Sequence, residues 1–125
     1  MNHMMAVLLN GIAQLEYDRS RELPDHQGAY LEKMDRKMKQ GIMLDGEHVI
    51  EPDLDQCSRF VAANLVHAIK SNDEAKAAAM CTWLANRLPD LKQVKIDDAD
   101  DGISIDFVFD EEYKKQAVVD FPRLH

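Results

Sequence analysis

Cysteine, phosphate-cradling glycine loops, long apolar runs and basic charge are all in short supply in this chain, and each shortage closes off a class of function. There are only two cysteines, Cys57 and Cys81, and they make no metal or redox spacing motif. On an antiparallel helical hairpin turning near Ser71-Asn72 they fall about five residues out of register, or ~7–8 Å along the axis at 1.5 Å per residue. That exceeds the usual reach of a disulfide between Cα atoms. Two reduced, mostly buried thiols are expected, which favours a reducing cytoplasm. The five glycines each have a turn, cap or helix explanation. No G-x-S-x-G, P-loop or dinucleotide fingerprint is present. Neither a cofactor nor a catalytic residue is expected on these grounds.

The longest apolar run, Met4 to Leu9, has no Lys or Arg before it and is interrupted by Asn10-Gly11. It is too short for a membrane span and lacks the charged start of a secretory signal, so no membrane association is expected. Basic residues number 15 against 23 acidic ones, a net charge of −8. Residues 1–50 carry 6 basic and 8 acidic side chains, residues 51–96 carry 6 and 6, and residues 97–125 carry 3 and 9. The C-terminal quarter alone is therefore at −6. Such a surface repels phosphate backbones, which argues against nucleic-acid binding.

What is present is a globular composition, 46% hydrophobic and 30% charged, in a length that suits one domain, 1–125. A chain of this size buries roughly two-thirds of its unfolded surface, enough for a self-standing core. The strongest pattern runs from Pro52 to Asp90, where two apolar-periodic segments meet at Ser71-Asn72-Asp73 and read as a helical hairpin. Asp53 and Gln56 have capping-box spacing, and Ser71 with Glu74 is a second candidate. Ala77, Cys81, Leu84 and Leu88 form a core stripe on the second helix, with Met80, Trp83 and Arg87 as a neighbouring stripe.

Before this hairpin, Met5 to about Asp18 carries apolar residues at Met5, Leu8, Leu9, Ile12 and Leu15. That spacing predicts a first helix, weakened by Gly11 by about 1 kcal/mol. A second helix is expected from an Asp25 N-cap to about Gln40, with Gly41 at C′. Glu32–Arg36 and Asp35–Lys39 stand as i, i+4 pairs on its wet side. Asp45-Gly46, flanked by apolar residues, predicts a short β-hairpin over Ile42–Ile50. After the helical hairpin, Val94 and Ile96, then Ile103, Ile105, Phe107 and Phe109, alternate with polar residues and predict a second β-hairpin. A short helix from Glu111 to Asp120 closes the pattern, with Tyr113 and Ala117 pointing inward.

Three groups of residues invite a functional reading. Asp97, Asp98, Asp100 and Asp101 precede Gly102 and form a weak candidate for a hard cation such as Ca²⁺. Alignment on an EF-hand loop puts Ala99 and Val108 at places that need oxygen ligands, so a solvated turn is the plainer reading. His26, His48 and His67 lack metal-binding helical spacing. Met80, Trp83 and Arg87 combine residue types enriched at binding hot spots; they face either an internal sheet or another protein.

The hairpin resembles one tetratricopeptide unit in Ala77 and the closing Pro89. It departs from that pattern at Leu65, Ala68 and Cys81, where Gly, Tyr and Phe are usual. One unit is visible where a solenoid needs about three, so the likeness is read as convergence. The expected fold is α+β: a helical-hairpin core of about four helices, two short antiparallel β-hairpins and a short C-terminal helix. The expected function is that of a small acidic cytoplasmic accessory protein without catalytic activity. It would act through a protein partner or through self-association as a homodimer joined by helical faces. The alternatives are an acidic inhibitor, of the immunity or antitoxin type, of a basic partner, and a small-ligand binder or enzyme with a site near His48, His67 or the acidic loop.

Overall fold

A computed structural model describes residues 3–114. The apolar run at the start of the chain forms a strand, not a helix: β1 spans Met4–Leu9 and β2 spans Ile12–Asp18. Asn10 (φ 49°) and Gly11 (φ 82°) form the two-residue turn between them. Positive φ at both central positions is the geometry that matches the twist of a hairpin, and Asn-Gly adopts it at the least cost. The helical reading fails for a physical reason. Met5, Ala6 and Val7 are all fully buried, because β1 is covered on both faces, and a strand covered on both faces shows no polar alternation.

The remaining elements follow in order. Helix α1 is Asp25–Lys39, β3 is Ile42–Leu44 and β4 is Glu47–Val49. Helices α2, Leu54–Lys70, and α3, Glu74–Arg87, form the hairpin. Strands β5, Gln93–Ala99, and β6, Gly102–Val108, come last. The architecture is thus mixed α+β with three helices and six strands among the described residues, which overturns the four-helix core expected from the sequence. The described part of the expected C-terminal helix, Glu111 to Lys114, is not helical; residues 115–120 of it lie outside the described residues. Among the described residues no helix is long and apolar enough to cross a membrane.

Local chemistry sets the boundaries. Asp53 caps α2 by accepting from the Gln56 N–H at 2.8 Å, while the Gln56 side chain accepts from the Asp53 N–H at 2.9 Å, a complete capping box. The second capping box does not form. Asp73 caps α3 by accepting from the Lys76 N–H at 3.1 Å, and Ser71 Oγ donates back to the His67 carbonyl at 2.9 Å, closing the end of α2. Asp25 is the first helical residue of α1, after Pro24, with no side-chain cap bond. Its carboxylate still sits favourably in the first turn.

Four strands form one sheet in the order β2-β1-β5-β6. The two hairpins are antiparallel, and they join through the parallel pair β1 and β5, which aligns Val7 with Val94 and Leu9 with Ile96. Met5, Val7, Val94 and Ile96 face the helices and pack in one cluster with Leu31, Val61, Leu65, Trp83 and Leu84. Ala6 and Leu8 face the other way and are covered by Tyr113. The β3-β4 ribbon stands apart from the sheet, with Ile42 buried in the helical cluster.

Arg19, just beyond β2, ties these layers together. Its guanidinium donates to the carbonyls of Ala85, of Leu88 at 3.1 Å and of Leu91 at 2.6 Å. These are carbonyls that the end of α3 and the following turn leave without helical donors. Burial pushes the Arg19 pKa down, though not to a range where an arginine loses its charge. Replacing Arg19 by Ala should cost about 2–3 kcal/mol, because part-buried acceptors lose a charged donor. Arg19→Lys should recover less than half of that, since an ammonium cannot match the planar fork. Urea unfolding of the two variants measures both.

Candidate functional site

The stripe Met80, Trp83 and Arg87 is met from within the chain by α1. Trp83 is 2% exposed and Met80 9%. Asp35 holds the other two residues together. The indole Nε1 of Trp83 donates to its Oδ1 at 2.7 Å, and Arg87 donates to its Oδ2 through Nε at 3.0 Å and Nη2 at 2.6 Å. Asp35, expected to pair along its own helix with Lys39, instead bridges α1 to α3. Of the three side chains, Arg87 is the one that keeps appreciable exposure.

The four acidic residues Asp97, Asp98, Asp100 and Asp101 occupy the β5–β6 hairpin, with Asp100 and Asp101 as its turn. Neighbouring positions on a strand point to opposite faces, so Asp97 and Asp98 diverge. Asp98 pairs with Lys70 at 3.0 Å, and its backbone is clasped by Asn10 through N–H to Oδ1 at 2.8 Å and Nδ2 to O at 3.4 Å. Among the described residues no three His, Cys, Asp or Glu side chains gather in a way that could hold a metal ion. His48 lies against Gly41, where a Cβ would come within 2.7 Å of its Nε2. His67 is exposed on α2.

The feature that sequence reasoning missed lies along β6. Ile103, Ile105, Phe107 and Phe109 line one side of an open groove of about 630 Å³; Arg59, Ala63 and Val66 of α2 and Leu44 and Asp45 of the β3-β4 ribbon line the other. Ile103 is 47% exposed and Phe109 46%. The cause is local: beneath this part of the sheet α2 offers the small Ala63, and its neighbour Arg59 is engaged by carboxylates and does not cover the strand. Arg59 is held by Asp55 at 3.2 Å and Asp45 at 3.6 Å. The period-two pattern Ile103-Ile105-Phe107-Phe109 was the available signal, but it does not show that β6 would be an edge strand. Comparison with known protein families, curated proteins and solved structures finds no match.

On the opposite face of the sheet, Gln93 donates to the Glu111 carbonyl at 2.9 Å, and Lys95 donates to Glu111 Oε1 at 3.2 Å. The hydrogen bond from Lys95, then that from Gln93, hold the Glu111 carboxyl below its ordinary range. Tyr113 donates its hydroxyl to Glu16 Oε2, so the segment after β6 is fastened across the back of β1. Both thiols are free. Burial raises the Cys81 pKa to about 12, and burial followed by the nearby Asp35 and Asp53 charges raises that of Cys57. Neither is an activated nucleophile, since the thiolate is the reactive form.

The Cys81 shift has a definite sign. The folded thiol holds its proton above the pH at which the unfolded one, with a pKa of about 8.5, has lost it. Cys81 therefore lowers stability progressively as pH rises from about 9 towards 12. At pH 8 a thiol reagent should label Cys57 slowly in the native protein and Cys81 only on unfolding. Equal, rapid labelling of both native thiols would contradict this placement.

Proposed function

We propose that this chain is a protein-interaction module without catalytic activity, binding a basic partner through the β6 side of its sheet. One observation carries the reading: β6, the sheet's edge among the described residues, bears half-exposed Ile103, is followed by half-exposed Phe109, forms the apolar wall of an open groove and is flanked by carboxylates. Asp97, Asp98, Asp100, Asp101 and Asp106 all lie on the β5–β6 hairpin, against the single base Lys95. Among the described residues Asp100, Asp101 and Asp106 take part in no ion pair, and Lys95, across from Asp106, is engaged by Glu111. A predominantly negative field beside an apolar strand face speeds the approach of an oppositely charged partner and leaves burial to hold it; Arg59 across the groove is itself offset by Asp45 and Asp55.

Two further expectations belong to the same reading. The free thiols of Cys57 and Cys81 suit a reducing compartment, so a cytoplasmic setting is proposed. Self-association is less favoured, because two copies meeting at this edge bring like charges together.

The test compares the wild type with Asp100→Asn/Asp101→Asn/Asp106→Asn as bait for proteins of the native host, across a salt series. A true partner should be captured by the wild type at low salt. Its association rate should fall about tenfold with the triple variant and steeply with added salt. A partner held equally by both baits at all salt concentrations would overturn the proposal.

A further inference from the structure

We infer that β6 takes up an extended segment of the partner, alternating apolar and basic residues, as a fifth strand of the sheet. This rests on the proposed interaction function and specifies how it is performed. An edge strand presents a row of backbone N–H and C=O groups able to template another chain, and proteins usually blunt such edges with bulges, Pro, charged side chains (Lys above all) or brevity.

The two edges of this sheet differ in that respect. Along β2 the register shifts opposite Val7 and Leu8, leaving Gln14 as an extra residue, so that edge is bulged. Along β6 the pairing with β5 runs without a break from Gln93–Val108 to Ala99–Gly102. The strand contains neither Pro nor Lys, its one charge is Asp106, which disfavours a like-charged strand and not a basic one, and at seven residues its edge is ~23 Å long.

The side chains set what a fifth strand must carry. One face of the added strand would lie over the groove, continuing the layer of Ile103, Ile105 and Phe107, and there it needs apolar residues. The other face would lie beside Ser104 and Asp106, with Asp100 and Asp101 at one end and Asp110 at the other, and there it needs Lys or Arg. A strand supplies both at once, because its residues alternate between faces. Main-chain bonds then give affinity, and the alternate side chains give specificity. A second copy of β6 fits less well: antiparallel pairing about Ile105 sets the Asp100-Asp101 turn of one chain near Asp110 of the other. Charge therefore selects a basic segment over a second copy.

The probe is a synthetic peptide of about nine residues alternating Val or Ile with Lys or Arg, the length of an ordinary strand. Its comparison has the same composition with apolar and basic residues in separate blocks, and a third peptide is N-methylated at alternate amides. Binding is followed by ¹⁵N-resolved NMR and amide exchange on the full chain. The alternating peptide should bind at least about tenfold more tightly than the other two and slow exchange within 102–108. Ile103→Ser/Phe109→Ser should weaken it by about tenfold or more, while Ile12→Ser on the opposite edge should not.

Equal, salt-sensitive binding of all three peptides without protection of β6 would overturn strand addition and leave the acidic interaction function standing. No binding by any peptide would overturn both. Concentration-dependent protection of β6 without peptide would make a second copy the occupant and overturn the inference.

Discussion

The parallel pairing of β1 with β5 is the constraint on which the rest of this structure depends. It joins a hairpin from the beginning of the chain to one from its later part, with every helix among the described residues lying between them in sequence. With Val7 beside Val94, β2 and β6 are left as the sheet's edges among the described residues, and the helices pack on one face. Contacts of such sequence separation require a large closure entropy to be met before they contribute. Devices that hold the pair together are therefore concentrated there. Asn10 clasps the Asp98 backbone at one end, Arg19 fastens the end of β2 to the turn before β5, and Glu111 and Tyr113 brace the back of the sheet.

From that pairing follows the asymmetry that gives the molecule a candidate surface. Beneath β1 and β5 the helices supply Leu65, Leu84 and Trp83, and the layer closes. Towards β6 the cover thins to Ala63 and Arg59, so an apolar strand face is left half open beside the carboxylates of the β5–β6 hairpin. The acidity that the sequence concentrates after residue 97 thus gains a location and a neighbour. It borders a groove with an apolar wall along β6, so under the proposed function charge and burial would act on the same ligand.

The sequence was legible where the physics is local. The Asp53–Gln56 capping box, the Asp45-Gly46 turn and the alternation through Ile103, Ile105 and Phe107 each act within a few residues, and each is present as expected. Met4–Leu9 was misread because burial on both faces removes the alternation that marks a strand, while its apolar positions also satisfy helical spacing. The Asn10-Gly11 turn was the stronger signal. For the stripe of Met80, Trp83 and Arg87, spacing placed the residues on one side of α3. The carboxylate that meets Trp83 and Arg87, Asp35, lies on another helix 48 residues away in sequence from Trp83, and no periodicity reports that. The open edge of β6 was hidden for a similar reason: strand order is a property of the assembled sheet.

Native-state amide exchange on the unliganded protein tests the central claim most directly: among the described residues β6 is the unbulged edge of the sheet, uncovered by any other strand. The amides of β1 and β5, hydrogen-bonded on both sides, should exchange only through global or near-global unfolding. Along β6 protection should alternate: amides directed at β5 slow, those directed away fast. Uniform slow exchange along Gly102–Val108 in the monomer would show that the edge is already covered and would contradict the account.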